Sequence, residues 1–156
     1  MNVEYINPFV EACRIVLKQV VHVEGNLGKI YVKTSPYTGS AVVIIVGLVG
    51  DLKGQAVLSL NGETAMEIAS VMMGGMEVTE LSDLSRSAVS ELVNMILGTA
   101  ASLLSQKKIK VDITPPTMVL GDGVTISSDK TTTICIPITW ENGAKSIDLD
   151  ISIAGS

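Results

Sequence analysis

The residues best suited to chemistry lie on one segment beyond the middle of the chain. Ser87, Glu91 and Asn94 recur at i, i+4 and i+7, so a helix places them on one narrow face. Gly98 continues this face at i+11 and Met95 lies beside it, which lets another surface approach closely. A carboxylate beside a carboxamide can pair with a cation and orient a water molecule, which is catalysis by positioning.

A purely structural interpretation of this face also fits. The same segment is apolar over most of its circumference, and a core helix still needs one side that faces water. Its apolar members are Ala88, Val89, Leu92, Val93, Ile96, Leu97, Ala100, Leu103 and Leu104. The residues alone leave both interpretations open.

The spacing around this face occurs twice in the chain, at an offset of eighty residues. Each copy has a polar residue, a glutamate, a second polar residue and a proline, separated by three, two and twenty-one residues. The first copy is Asn7, Glu11, Arg14 and Pro36, and the second is Ser87, Glu91, Asn94 and Pro116. The repeat predicts a single domain over residues 1–156, with two pseudo-symmetric halves at about 5–60 and 85–140. Arg14 replaces the carboxamide in the first copy, so the copies differ where chemistry would occur. A chance similarity at so few positions is the alternative.

Composition narrows the functional classes. The chain has 156 residues, of which 47% are apolar, 17% charged and 3% aromatic. These values exclude disorder and coiled coil, and predict an aliphatic core. The net charge of −5, the scattered basic residues and the few aromatic rings argue against nucleic acid as a partner.

The cysteines and the apolar stretches bear on location. Cys13 and Cys135 lie in apolar surroundings without metal-ligand spacing, which favours two buried thiols over a disulfide. The N-terminal residues lack the pattern of a signal peptide, and the longest apolar stretch, 41–49, is too short to cross a bilayer. We therefore expect a soluble, cytoplasmic protein with no membrane segment and no metal site of its own.

Periodicity and turn residues predict three helices and six strands. The helices are expected at 5–20, begun by Asn7-Pro8, at 61–73 and at 82–106; the strands are expected at 29–34, 41–47, 54–60, 108–114, 132–140 and 146–154. Hairpin connections between most of the strands indicate an α+β fold with a largely antiparallel sheet. The last strand alternates, so we expect it to be half-buried, with Asp148 and Asp150 solvated and its edge available for a dimer.

The motif Ser87-x3-Glu91-x2-Asn94-x21-Pro116 resembles that of the CheC/CheX/FliY phosphatases of chemotaxis, over essentially the whole chain. Met72-Met73-Gly74-Gly75 before the motif helix adds to the resemblance. A single intact copy resembles CheX, which implies one active site per chain and a homodimer. The resemblance implies a phosphatase that hydrolyses the aspartyl phosphate of a CheY-like response regulator, with Mg²⁺ supplied by the regulator.

Within that resemblance each motif residue has an expected role. Asn94 would position the attacking water, and Glu91 would pair with a lysine of the regulator. Ser87, Met95 and Gly98 would support the contact, and Pro116 would fix a loop beside the site. The alternative is a non-catalytic module that binds the regulator or assembles as flagellar-switch domains do.

Overall fold

Three helices cover one face of an eight-stranded antiparallel sheet in the computed structural model, which describes residues 3–34, 36–127 and 131–154. The helices are α1 (Val3–Val16), continued by a π-helical turn (Leu17–Val21), α2 (Gly62–Met72) and α3 (Asp83–Gln106). The strands are β1 (Asn26–Leu27), β2 (Tyr31–Lys33), β3 (Tyr37–Thr38), β4 (Val42–Gly50), β5 (Gly54–Leu60), β6 (Val111–Ile113), β7 (Thr117–Leu120), β8 (Thr125–Ile126), β9 (Thr131–Trp140) and β10 (Lys145–Ala154).

The main sheet runs β1-β9-β10-β5-β4-β6, with β2 also beside β9 and β7 also beside β4. Every pair is antiparallel, and β3 and β8 form a separate small sheet. The predicted α+β class and the six predicted strand regions are confirmed. The short strands β1, β3, β7 and β8 were missed, because two to four residues between turns carry too little alternation to be recognised.

Side-chain caps set the starts of α2 and α3. Asn61 Oδ1 accepts a hydrogen bond from Thr64 N at 2.8 Å, and Ser82 Oγ accepts one from Ser85 N at 3.4 Å. Both caps satisfy backbone donors that the first turn of a helix leaves free. The sequence predicted both positions, and α3 therefore presents its motif face from a fixed start.

The predicted start of α1 is wrong. The helix begins at Val3, and Pro8 lies inside it rather than in its first turn. Proline removes one backbone hydrogen bond there. The cost is offset because Ile6, Phe9 and Val10 on the same turns are buried in the core.

The predicted free edge and solvated face of the last strand, β10, are also wrong. It lies between β9 and β5, so neither of its edges is free for a dimer. Both of its faces are covered, and Asp150 and Ser152 are fully buried instead of solvated. Lys33 from β2 neutralises Asp150 at 3.0 Å, which explains how a carboxylate is tolerated there. Asp148 is half-buried.

The core lies between the helices and the sheet. α1 and α3 pack against each other, and α3 also contacts α2, β6 and β7. Within the described residues α3 is the one helix long and apolar enough, by length and composition, to cross a membrane. Its apolar side, from Val89 to Leu104, is buried in this core, which accounts for its composition without a membrane. Cys13 and Cys135 are free, buried thiols, as predicted.

The order of elements has a two-fold pattern. After α1 the chain adds β1 and β2 beside β9; after α3 it adds β6 and β7 beside β4. The hairpins β4–β5 and β9–β10 meet through β5 and β10 at the middle of the sheet. This order is what an internal repeat would produce, with the second copy extended to β10. The repeat and its boundaries remain an interpretation.

Candidate active site

The exposed face of α3 and the segment joining β6 to β7 enclose an open groove of about 1070 Å³. It is lined by Asp83, Arg86, Ser87, Ser90, Glu91, Asn94, Ile113, Thr114, Pro115, Pro116, Met118 and Leu120. The groove brings four of the predicted site residues together, namely Ser87, Glu91, Asn94 and Pro116. A helix supplies its polar side and a proline-containing segment supplies its opposite wall.

Glu91 and Asn94 are both exposed on consecutive turns of α3. Among the residues that the structure describes, neither side chain makes a hydrogen bond or an ion pair within the chain. The carboxylate is therefore free to accept a cation, and the carboxamide is free to hold a water molecule. Both are carried by a helix whose other sides are packed, so the backbone that positions them is held in place.

Thr114 fixes the wall opposite the helix. Gly47 N donates to Thr114 Oγ1 at 2.7 Å, and Thr114 N donates to the Gly47 carbonyl at 3.0 Å. β6 and β7 both pair with β4, and the two prolines, Pro115 and Pro116, stand in the interruption between them. Proline cannot donate to the sheet, which explains why the edge strand breaks here. Pro116 thus lies in the groove wall, next to the predicted site.

Met95 and Gly98 do not line the groove. Met95 is partly buried and packs against the core. Gly98 is half-exposed on α3, and a Cβ placed on it would meet nothing within 4 Å. No close packing inside the described chain therefore requires the glycine, and its expected supporting role stays a prediction.

Several groove residues were missed at the level of sequence. Asp83, Arg86 and Ser90 line the groove on the same helix as Glu91. Arg86 precedes Ser87, and Ser90 precedes Glu91, so a wider stripe than one residue per turn would have included them. Thr114 carried no such signal, because its position depends on the pairing of β4 with β6.

Asn7, Glu11 and Arg14 of the first copy line a second groove of about 620 Å³ along α1, and Pro36 does not line it. Arg14, which replaces the carboxamide, donates from Nε to the Gly25 carbonyl at 3.1 Å. Lys18 and Glu24 form an ion pair at 3.2 Å between the helical segment and the following loop. These contacts tie the helix to its neighbouring loop, whereas the corresponding face of α3 is open.

The described part of the chain offers no metal site or reactive thiol that would supply other catalytic chemistry. No three His, Cys, Asp or Glu side chains come together there as a metal site requires. Burial raises the pKa of Cys13 and of Cys135 to about 12, so both thiols are protonated at neutral pH. The free Glu91 and Asn94 of the groove are the groups best placed to act on a ligand.

The fold and the groove define a CheC-like protein. A CheC-like superfamily protein from Shewanella sp. PV-4 superposes with a TM-score of 0.86 at 31% identity, over 99% of this chain and 100% of that one. The family model described as "Chemotaxis phosphatase CheX" matches residues 42–139. The CheY-P phosphatase CheX of Thermotoga maritima is 34% identical over 128 residues, which is 82% of this chain and 83% of that protein. This chain belongs to the chemotaxis phosphatase CheX family.

A further relative has been solved in complex with CheY. The Borrelia burgdorferi CheX in a CheX-CheY-BeF3-Mg²⁺ complex is 31% identical, with a TM-score of 0.79 over 96% of this chain and 97% of that one. The resemblance inferred from the motif is confirmed at the level of the family.

Proposed function

We propose that this protein is a phosphatase that hydrolyses the aspartyl phosphate of a CheY-like response regulator, using the groove between α3 and the β6–β7 segment. Membership in the CheX family supports the reaction, as does the phosphatase named in Thermotoga maritima. The observation that carries the proposal for this groove is the pair of exposed side chains, Glu91 and Asn94, on one face of α3. The regulator is the expected cytoplasmic partner.

An aspartyl phosphate is an acyl phosphate and is already reactive. Its hydrolysis requires mainly a water molecule held in line with phosphorus and stabilisation of the charge on the phosphoryl oxygens. Asn94 would accept a hydrogen bond from that water through its side-chain oxygen, because it has no competing partner among the described residues. The chain then needs no nucleophile of its own.

Charge stabilisation would come from the substrate. The regulator would supply Mg²⁺ and a lysine around its phosphorylated aspartate, and the Borrelia burgdorferi complex contains CheY together with Mg²⁺. Glu91 would pair with that lysine and hold the two surfaces in register. Ser87, one turn before Glu91, would shape the contact, and Pro116 would fix the opposite wall.

The decisive test is the decay of a phosphorylated CheY-like protein from the same genome, with substoichiometric amounts of this protein. Multiple turnovers by the natural chain and a loss on the order of 10² in rate for Asn94→Ala would support the proposal. Asn7→Ala on α1 is the matched control and should retain the natural rate. Equal rates for Asn94→Ala and the natural chain would remove Asn94 from the mechanism.

A non-catalytic module is the alternative function, and turnover separates the two. A binding module would slow or leave unchanged the decay of the regulator and would act only at stoichiometric amounts. For such a module, Asn94→Ala would also leave the decay of the regulator unchanged.

The expected homodimer is a separate proposal. β1 and β2 lie at one end of the main sheet, beyond β9. They carry exposed apolar side chains, Leu27, Tyr31 and Val32, the last being 61% exposed. This end of the sheet, rather than β10, offers a strand edge for pairing. Val32→Lys should convert a dimer to a monomer in sedimentation measurements, and a natural chain that is monomeric would refute the proposal.

A further inference from the structure

Arg86 is the one positively charged side chain among the described residues that line the groove. We infer that it is a docking residue, which selects a regulator that presents a carboxylate near its phosphorylation site. The inference rests on the proposed function. It concerns the choice of partner rather than the chemical step.

The guanidinium of Arg86 is held at the beginning of α3. Nη1 donates to the Leu81 carbonyl at 2.6 Å, and Nη2 contacts Asp83 Oδ1. The side chain is still 37% exposed, and its other N–H donors remain available. A planar guanidinium with free donors on a surface is well suited to a carboxylate.

The position of Arg86 separates it from the reacting atoms. Side chains on a helix lean toward its N-terminus, and both contacts of Arg86 lie on that side. Asn94 is eight residues further along, a rise of about 12 Å in the opposite direction. A phosphoryl group placed beside Asn94 is therefore out of reach of Arg86, so the arginine acts on binding and not on hydrolysis.

The charges along the groove define a complementary partner. Arg86 and Glu91 are separated by a rise of about 7.5 Å, with opposite charges. If Glu91 pairs with a lysine, a carboxylate on the same surface would complement Arg86, whose present ion pair with Asp83 is exposed to solvent. Met118 and Leu120 line the same groove and add apolar surface to it.

Asp83 currently occupies the position that the carboxylate of the partner would take. Its side chain is 97% exposed, and an ion pair this exposed contributes little to stability. A carboxylate of the regulator can therefore displace it at small cost. Removing Asp83 should strengthen docking and removing Arg86 should weaken it, although the two residues form one pair.

The test is steady-state dephosphorylation of the same regulator by the natural chain, Arg86→Gln and Asp83→Asn. Arg86→Gln should raise KM roughly tenfold with kcat within about twofold, and should flatten the dependence of KM on salt. Asp83→Asn should lower KM. Lys18→Gln, which removes a cation from the α1 groove, is the matched control and should leave both constants unchanged.

An unchanged KM in Arg86→Gln would overturn the inference. So would a rise of KM in both variants together with loss of thermal stability, because the pair would then serve only the start of α3. If the natural chain shows no turnover, the proposed function fails by itself. Binding of the BeF3-loaded regulator then tests Arg86 alone. Weaker binding by Arg86→Gln than by the natural chain supports the docking role. Equal binding by the two proteins refutes it, and so does a natural chain that does not bind the regulator.

Discussion

Thr114 and Gly47 are joined by two hydrogen bonds, from Gly47 N to Thr114 Oγ1 at 2.7 Å and from Thr114 N to the Gly47 carbonyl at 3.0 Å. A Cβ at position 47 would lie 3.0 Å from Thr114 Cγ2, tighter than an ordinary contact. Glycine in the middle of β4 thus permits the close approach of the segment that carries Pro115 and Pro116. The wall of the groove is positioned by the sheet rather than by the helix.

Replacement of this threonine should disturb the groove without unfolding the protein. Thr114→Val keeps the shape and removes the acceptor for Gly47 N, at a cost of about 1 kcal/mol in the free energy of unfolding. The proline wall is then less well fixed, and we expect regulator dephosphorylation to fall roughly three- to tenfold. Thr117→Val, on the exposed face of β7, is the control. Equal activity of the two variants would show that Thr114 does not position the site.

Glu91 is expected to act in docking, and its counterpart in the first copy provides a matched control. Glu91→Gln removes the charge but keeps the size of the side chain, so pairing with a lysine of the regulator is lost. We expect KM to rise roughly tenfold with a smaller change in kcat. Glu11→Gln on α1 should leave both constants unchanged. A normal KM for Glu91→Gln would assign Glu91 to a solvated face with no part in binding.

The helices of the fold were easier to foresee than the placement of its last strand. Asn61 and Ser82 are local signals, because a cap bonds to a backbone only a few residues away. The alternation of β10 predicts one solvated face, whereas Asp150 and Ser152 on that face are buried. Asp150 is buried because Lys33 from a distant strand neutralises it, and no local pattern contains that pairing.

The groove also has one side that local sequence patterns predict and one side that they do not. Helical spacing placed Ser87, Glu91 and Asn94 on one face, and the structure has them lining one groove. The opposite wall depends on how β6 and β7 pair with β4, which periodicity does not show. Arg86 carries no comparable signal in the sequence, because a lone arginine on a helix usually faces solvent.

Breaking the ion pair between Lys33 and Asp150 should lower the free energy of unfolding substantially. Lys33 Nζ lies 3.0 Å from Asp150 Oδ2 and 4.6 Å from the centre of the Tyr37 ring. Lys33→Met leaves Asp150 buried without a cation, which should cost about 3–5 kcal/mol in the free energy of unfolding. Adding Asp150→Asn to that variant should restore part of the loss.

The measurement is denaturant unfolding of the natural chain, Lys33→Met, Asp150→Asn, the double variant and Lys29→Met, which removes an exposed lysine. Lys29→Met should be within about 0.5 kcal/mol of the natural chain. The pair is not coupled if the double variant loses as much as the sum of the two single changes.

Asp148 should make the protein less stable as the pH rises. Burial raises the pKa of this carboxyl, while Lys33 lowers it and Asp150 raises it further. Because the folded-state pKa lies above the unfolded value of 3.8, the folded chain holds more protons between the two values. The free energy of unfolding therefore falls as the pH rises through the folded pKa. Asp148→Asn should remove this slope.

The expected result is a variant more stable than the natural chain at pH 7 and nearly equal to it below the unfolded pKa, where Asp148 is protonated in both states. Chemical unfolding at a series of pH values measures the difference. Asp122→Asn, at an exposed turn, should follow the natural chain at every pH. A gain in stability for Asp148→Asn that is the same at low and neutral pH would have its origin in packing, because a change that does not follow protonation cannot come from the charge.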